Sequence, residues 1–423
     1  MEKAKKKKMS MSTKALIGMI LGYVFGLFAG EAVVPFFDPI GKVFINLLFM
    51  VAVPYIFFSI TCGVASMTDL KKTGRIGGKI FVSYVATTIV AVLLGLLMAF
   101  IIGPGKGFSM EGVNVAAVTS DKAVPTLGGL LVSIVPRNIF QSLSSMNLLQ
   151  IIFFAIFLGV ALVLLGDKKS KVTDVFGVLS EALTKMITII LELVPIGVFA
   201  LMAVTGAKYG VDALASIGKV LITDYICFLL QLFVVLGLLL ALVAKVNPFT
   251  FYRRCGEVIM TALSTTSSAA TLPLTIRTAT QKLGIPPEVA NFTLPLGCTI
   301  NLNGAAVNIA VCVVFSAQVF GIDFTFTDML SLVLISCIAA VGAPGLPGGA
   351  IVFTLAILGQ FGIPTEAYAM IIAVYRLIDM GMTALNIMGD LACTAAVAQT
   401  EGMLDRSMWD GPNVVEHELT EDL

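Results

Sequence analysis

Residues 79–103 carry no charge after Lys79. A helix of that length, at about 1.5 Å per residue, exceeds the roughly 30 Å of bilayer hydrocarbon. Backbone placed there finds no water, so it spans only as a helix or a closed barrel. Comparable stretches occupy residues 13–33, 41–67 and 216–246. Two more are interrupted: 128–166 at Pro136-Arg137-Asn138, and 175–205 at Pro195, which predicts a kink. Transmembrane strands need only about 9–11 residues, so these lengths predict helices. Only 13% of residues are charged and 58% are hydrophobic, with mean hydropathy +0.99. Ordinary soluble proteins are about 25% charged. The chain reads as an all-α polytopic membrane protein.

Charge sets the expected topology. The net charge of +1 gives no basic field and no case for nucleic acid. The run Lys3 to Lys8 reads as a cytoplasmic anchor, and the first helix is expected to stay in the mature protein. Lys71/Lys72/Arg75, Lys168/Lys169/Lys171 and Lys245/Arg253/Arg254 fall on alternate sides of successive spans. Both termini are therefore expected in the cytoplasm. One histidine, His417, excludes a His-based metal site and a Ser-His-Asp triad. Seven scattered cysteines form no C-x-x-C pair and read as small buried hydrophobes. Glu192 and Asp224 are acids within spans, and a helix hydrogen bond or bundle contact explains each.

The last 175 or so residues behave differently. Residues 255–281 are apolar at both ends with a Ser/Thr-rich centre, Ser264 to Pro273. Residues 328–361 centre on Val341-Gly342-Ala343-Pro344-Gly345-Leu346-Pro347-Gly348-Gly349. Ser/Thr side chains compete for backbone groups, and Gly/Pro clusters break helices. Such centres must face protein or a watery cavity, which predicts re-entrant hairpins. Two of them flanking one span point to an inverted repeat with a site at mid-membrane. The span between carries Thr299-Ile300-Asn301-Leu302-Asn303-Gly304. This predicts an unwound turn whose carbonyls suit a hard cation such as Na⁺. A Gly-kinked packed helix is the alternative.

The helix read over 372–400 holds Asp379, Thr383, Asn386 and Asp390 at i, i+4, i+7 and i+11. These fall on one face. A carboxylate inside a membrane helix costs about 2.5–3.5 kcal/mol. Two of them, with an amide and a hydroxyl between, are expected to hold an ammonium group, a metal cation or both. A buried structural stripe is the bland alternative. An aspartyl protease is excluded, because residues 11 apart lie about 16 Å apart along the axis and cannot share a proton. A channel would need a continuous polar pore, whereas these positions cluster at one depth. No nucleotide motif supports an ATP-driven pump.

These motifs resemble the glutamate transporter family, the dicarboxylate/amino acid:cation symporters that include archaeal aspartate transporters and vertebrate excitatory amino acid transporters. The likeness runs over about residues 13–409. It rests on Thr271-Leu272-Pro273, on Thr299 to Gly304 (beside the family's Asn-Met-Asp-Gly), on Gly345-Leu346-Pro347-Gly348, and on Asp379 to Asp390 followed by Thr400-Glu401-Gly402 and Leu404-Asp405-Arg406. The resemblance implies eight transmembrane helices, two re-entrant hairpins and inverted repeats. It also implies an elevator-type transporter, a homotrimer and a place in the cell membrane. The basic cytoplasmic N-terminus would be 1–12 and the cytoplasmic tail 401–423. Scaffold helices 1–2 would occupy 13–67 and helices 4–5 would occupy 128–207. The moving part would comprise helix 3 (76–104), helix 6 (216–246), hairpin 1 (249–281), helix 7 (285–316), hairpin 2 (328–361) and helix 8 (365–400).

The resemblance also implies roles. Asp379 would hold a substrate ammonium group, and Thr383 and Asn386 the amino-acid backbone groups. Ser267, Ser268 and the backbone at Leu346 would cradle the α-carboxylate. Gly297, Asn301, Asn386 and Asp390 would form one Na⁺ site. Thr299 with hairpin-2 carbonyls would form another, and Tyr84, Thr87, Thr88, Asn301 and Asn303 a third. Three departures matter. Met382 stands where acidic-substrate members carry an arginine, Ala305 where they carry its threonine, and Thr266 where some carry a hairpin arginine. An unpaired substrate carboxylate at that end would cost several kcal/mol. A neutral amino acid, serine-, alanine- or threonine-like, is therefore expected as the small-molecule substrate of a Na⁺-coupled symporter. The alternative is an acidic substrate, coupled to Na⁺ or H⁺, with Arg376 replacing the missing arginine. Asn303 replaces the family aspartate, so fewer sodium ions per cycle are expected. No organic cofactor is expected, and no enzymatic activity.

Overall fold

The computed structural model describes residues 11–66, 75–108, 110, 132, 135–145, 147–166, 170–342 and 348–410. Leu346 and the tip of the second polar centre, His417 and the Lys3 to Lys8 run lie outside them. The described residues are helical throughout, with no strand among them. Five helices are long and apolar enough to cross a membrane, and one bent pair makes a sixth.

Helix α1 (Met11–Ala29) leads through a 3₁₀ turn, with Gly30 at positive φ, into α2 (Val34–Ser66). Helix α3 (Arg75–Ile102) follows. Two shorter helices, α4 (Ile139–Ser144) and α5 (Leu148–Leu164), are each capped by an asparagine: Asn138 accepts from Phe140 N and Asn147 from Gln150 N. That capping explains why the chain starts new helices just after the Pro136 interruption. Helix α6 (Ser170–Glu192) meets α7 (Val194–Leu230) at a 54° bend. Pro195 sits in the first turn of α7, where its missing N–H costs no helical bond. Within α7, Gly210 is non-helical (φ 55°, ψ −149°), so two helical halves meet there. The second half continues through π-helical turns, Gln231–Val235 and Leu239–Ala244.

Helix α8 (Pro248–Arg254) precedes α9 (Gly256–Thr265) and α10 (Ser268–Gln281). Ten residues of α9 advance only about 15 Å, half the hydrocarbon depth. The chain reverses at Thr266, in the left-handed region, and Ser267 caps α10 by accepting from Ala270 N. The next span is two helices, α11 (Pro287–Ile300) and α12 (Asn303–Val319), with Asn301 and Leu302 non-helical between them. Helices α13 (Phe326–Gly342) and α14 (Gly349–Phe361) flank the second polar centre. Helix α15 (Glu366–Thr400) is the polar-faced helix, and α16 (Ser407–Asp410) follows it.

Burial ranks these elements. The α11–α12 span has 94% of its apolar window enclosed, against 33% for Ala213–Ala244. Helix α12 packs on α3, α15, α7 and both helices of the second hairpin pair. It is the centre of the molecule. The outside carries exposed Phe28, Phe140, Phe157, Leu242 and Phe249, the apolar coat that a lipid-facing surface needs. Helix α1 meets the first half of α7 through Gly18, Gly22 and Gly26. A Cβ on each would strike the carbonyl oxygen of Pro195, Phe199 and Ala203 respectively. Membrane helices approach this closely only through such small-residue stripes.

Candidate substrate and cation site

The four polar residues of α15 lie where α11, α12, α9 and α10 converge on it. Asp379, Thr383, Asn386 and Asp390 are all buried. The α11–α12 break aims backbone and amides at them. Gly304 N, freed at the start of α12, donates to Asn386 Oδ1 at 2.7 Å. Asn301 Nδ2 donates to Asp390 Oδ1 at 2.8 Å. Asp379 sits at the second hairpin: Gly348 N donates to its Oδ2 at 3.3 Å, and Thr383 Oγ1 to its Oδ1 at 3.5 Å. The Arg376 guanidinium is 4.0 Å from the same Oδ2, with its side chain 27% exposed. The first hairpin tip is tied to α11 by Cys298 Sγ, 3.6 Å from the Ser268 carbonyl. Ser267 and Ser268 are buried at that tip.

A second layer surrounds Asp390. The Tyr84 hydroxyl donates to the Thr293 carbonyl at 2.9 Å. A Cβ on Gly297 would stand 2.5 Å from Asp390 Oδ1 and 2.7 Å from that hydroxyl, so only glycine fits. Thr87 Oγ1 lies 3.4 Å from Asn301 Oδ1, and Thr88 Oγ1 donates to Asn303 Oδ1 at 2.9 Å. No lysine or arginine pairs with Asp390 among the described residues. Oxygen groups around a buried, unpaired carboxylate are the chemistry that hard cations take. Asn303 differs: its Nδ2 is buried without an acceptor. An N–H donor cannot ligate a cation, so the third expected site is short of an oxygen as well as a charge.

Two expected residues stand apart. Thr299 is exposed, and its hydroxyl donates to the Leu296 carbonyl at 2.8 Å. Asn386 spends its oxygen on Gly304 N rather than turning it to Asp390. Met382 and Ala305 are buried together, and Gly304 packs directly on Met382. Sequence reasoning missed Thr394, whose hydroxyl pairs with that of Thr293 at 2.9 Å beneath Asp390. It extends the polar face by another four residues, a signal present in the spacing. Gln231 was missed too: its Nε2 donates to the Thr87 carbonyl at 3.0 Å.

The chain is similar to known proteins. The model of the sodium:dicarboxylate symporter family matches residues 11–400. This chain belongs to the sodium:dicarboxylate symporter family. Among relatives of this symporter is a proton/sodium-glutamate symport protein of Bacillus caldotenax, 34% identical over 94% of this chain and 96% of its own. A proton/glutamate-aspartate symporter of Escherichia coli (strain K12) is 32% identical over 94% of each chain. A C4-dicarboxylate transport protein of Rhodospirillum rubrum is 30% identical over 93% of this chain and 89% of its own. The protein is thus a multi-pass membrane symporter of a small molecule, coupled to a cation, and not an enzyme. A cleft of about 480 Å³ opens beside the start of α15, lined by Asp38, Lys42, Lys208 and Glu366 among others.

Proposed function

We propose that this symporter carries an acidic amino acid or a C4 dicarboxylate, driven by Na⁺ or H⁺, with Arg376 supplying the cation that Met382 does not. The observation that carries this reading is the 4.0 Å approach of the Arg376 guanidinium to Asp379 Oδ2. The named substrates of the relatives support it. A substrate carboxylate brought among Asp379 and Asp390 needs compensating positive charge. A guanidinium at the pocket rim and a coupling cation at Asp390 supply it. For an amino-acid substrate Asp379 holds the ammonium group, while Thr383, Asn386 and the serines of the first tip orient the rest. The coupling cation sits among Asp390, Asn301, Gly297 and the Tyr84–Thr87–Thr88 layer, with Asn303 lowering the ion count.

A neutral amino acid is the second reading. It is favoured by buried Met382 and Ala305, which leave the inner end of the pocket apolar. Arg376 lies six residues from Met382, about 9 Å along the axis. An arginine there serves a different end of the substrate.

The motion we propose is an elevator. Gly210 breaks α7 between a half packed on α1 and a half bonded to α3, α12 and α15 through Gln231, Asp224 and Tyr225. A homotrimer in the cell membrane with both termini cytoplasmic completes the reading, supported by the family resemblance and the alternating basic loops. The test is uptake into proteoliposomes of labelled L-glutamate, L-aspartate, succinate, L-serine and L-alanine under Na⁺, H⁺ or no gradient. Glutamate, aspartate or succinate is expected to win, and Arg376→Gln to cut its uptake by roughly tenfold or more. Uptake of serine and alanine alone would overturn the acidic reading in favour of the apolar pocket.

A further inference from the structure

Asp224 lies on the second half of α7, fully buried and outside the site described above. Its Oδ2 accepts one hydrogen bond, from Asn308 Nδ2 of α12 at 2.9 Å. The same nitrogen is 3.3 Å from Cys312 Sγ. Asp224 Oδ1 has no donor, and Asn308 Oδ1 has none either. Among the described residues, no lysine or arginine pairs with Asp224. Its own helix offers Tyr225 and Cys227, and α12 offers Cys312. From α15, Tyr368 lies within electrostatic range of both Asp224 and Asp379, and Tyr375 within range of Asp379 and Tyr368. Arg376 is turned to Asp379.

An ionised carboxylate with one neutral donor is among the costliest groups to enclose in a membrane protein. Two ways out exist, a metal cation or a proton. The neighbours decide between them. Asn308 presents its N–H₂ to the carboxylate, and the other titratable groups within electrostatic range are thiols and phenols, a poor shell for a hard cation. A proton on Oδ1 needs no such shell.

We propose that Asp224, held by Asn308, is a proton-carrying site of this symporter, separate from the cation site at Asp390. The proton comes from water on the loading side, rests on the carboxyl while the site is closed, and returns to water on the release side. No other bond is made or broken.

The inference rests on the symporter reading, and the experiment separates the two. Full-length protein in proteoliposomes is assayed with labelled L-glutamate in two modes. One is counterflow without any ion gradient, and the other is accumulation driven by a pH gradient with proton flux recorded alongside. Absence of L-glutamate counterflow in the wild-type protein would fail the acidic-substrate reading, and the same two modes are then run with labelled L-serine. Asp224→Asn, isosteric with the neutral acid, is expected to keep counterflow while pH-driven accumulation and proton flux fall at least tenfold. Asp224→Glu, which restores a titratable group, is expected to recover pH-driven uptake with a displaced pH midpoint. The latter also serves if Asp224→Asn does not fold. Undiminished pH-driven accumulation in Asp224→Asn, an unmoved midpoint in Asp224→Glu, or loss of Na⁺ drive in place of H⁺ drive would each overturn the proposal.

Discussion

Asn301 and Asp390, 89 residues apart in sequence, meet side chain to side chain at 2.8 Å in the interior. The bond joins the broken span to the polar-faced helix, and both partners are almost fully buried. It turns an amide nitrogen toward the carboxylate and leaves the amide oxygen on the Thr87 side. Asp390 is therefore oriented but not neutralised, the property on which its proposed role at the coupling cation rests.

Removing that carboxylate tests the arrangement. Asp390→Asn keeps the volume and deletes the charge. A hydrogen bond or ligand contact to a charged group contributes about 1.5–3 kcal/mol, so apparent affinity for the coupling cation is expected to fall roughly 10- to 100-fold. Cation titration of substrate binding by the purified protein measures it. Thermal unfolding should change little or rise, since an uncompensated buried charge has gone.

Gly297→Ala should behave differently. Its Cβ would sit 2.5 Å from Asp390 Oδ1 and 2.7 Å from the Tyr84 hydroxyl. Overpacking of this kind costs about 1–3 kcal/mol. We expect a lower unfolding temperature together with weaker cation binding, the two readouts that Asp390→Asn separates.

Gly22→Ala probes packing away from the site. The new methyl would meet the Phe199 backbone of α7, which cannot move without shifting the helix. A loss of about 1–3 kcal/mol in stability is expected. Substrate affinity of the folded fraction should be unchanged, because α1 contributes no group to the cluster. Differential scanning fluorimetry and a binding isotherm on the same sample check both halves.

Glu401 supplies a pH prediction outside the spans. Hydrogen bonds from Lys79 and Arg75 hold its carboxyl below the ordinary value of 4.5. Arg75 Nε donates at 2.9 Å, and Lys79 Nζ stands 2.5 Å away. A carboxylate depressed in the folded state stabilises above its unfolded value and loses that stabilisation as pH falls through the folded one. Glu401→Gln should therefore lower the unfolding temperature at neutral pH. The gap to wild type should close below pH 4.5, and added salt should narrow it. A gap that persists at low pH would point to packing rather than charge.

Much of this was readable in one dimension. Membrane spans follow from hydropathy because lipid leaves backbone no partner but itself. The spacing of Asp379, Thr383, Asn386 and Asp390 is a property of the helix, and all four are buried on α15. The Gly18-Gly22-Gly26 stripe was equally legible and went unread, because a glycine's use depends on which helix comes close. The kink attributed to Pro195 lies at Leu193, where α6 ends and α7 begins. The proline starts a helix there instead of bending one.

What sequence by itself determined is the class of molecule: an all-helical membrane protein whose polar residues are too few and too clustered to be lipid-facing. Local rules suffice for that, since hydropathy and helical period act over a few turns. Tertiary structure decided which polar groups meet. Asn301 found Asp390, Asn386 turned to Gly304 N, Thr299 was left outside, and Arg376 came to Asp379. Asp224, bland in the sequence, found Asn308 and, among the described residues, no lysine or arginine. Each pairing depends on how broken helices with little periodicity of their own are packed around α12. A buried polar group takes whatever partner that packing brings within about 3 Å.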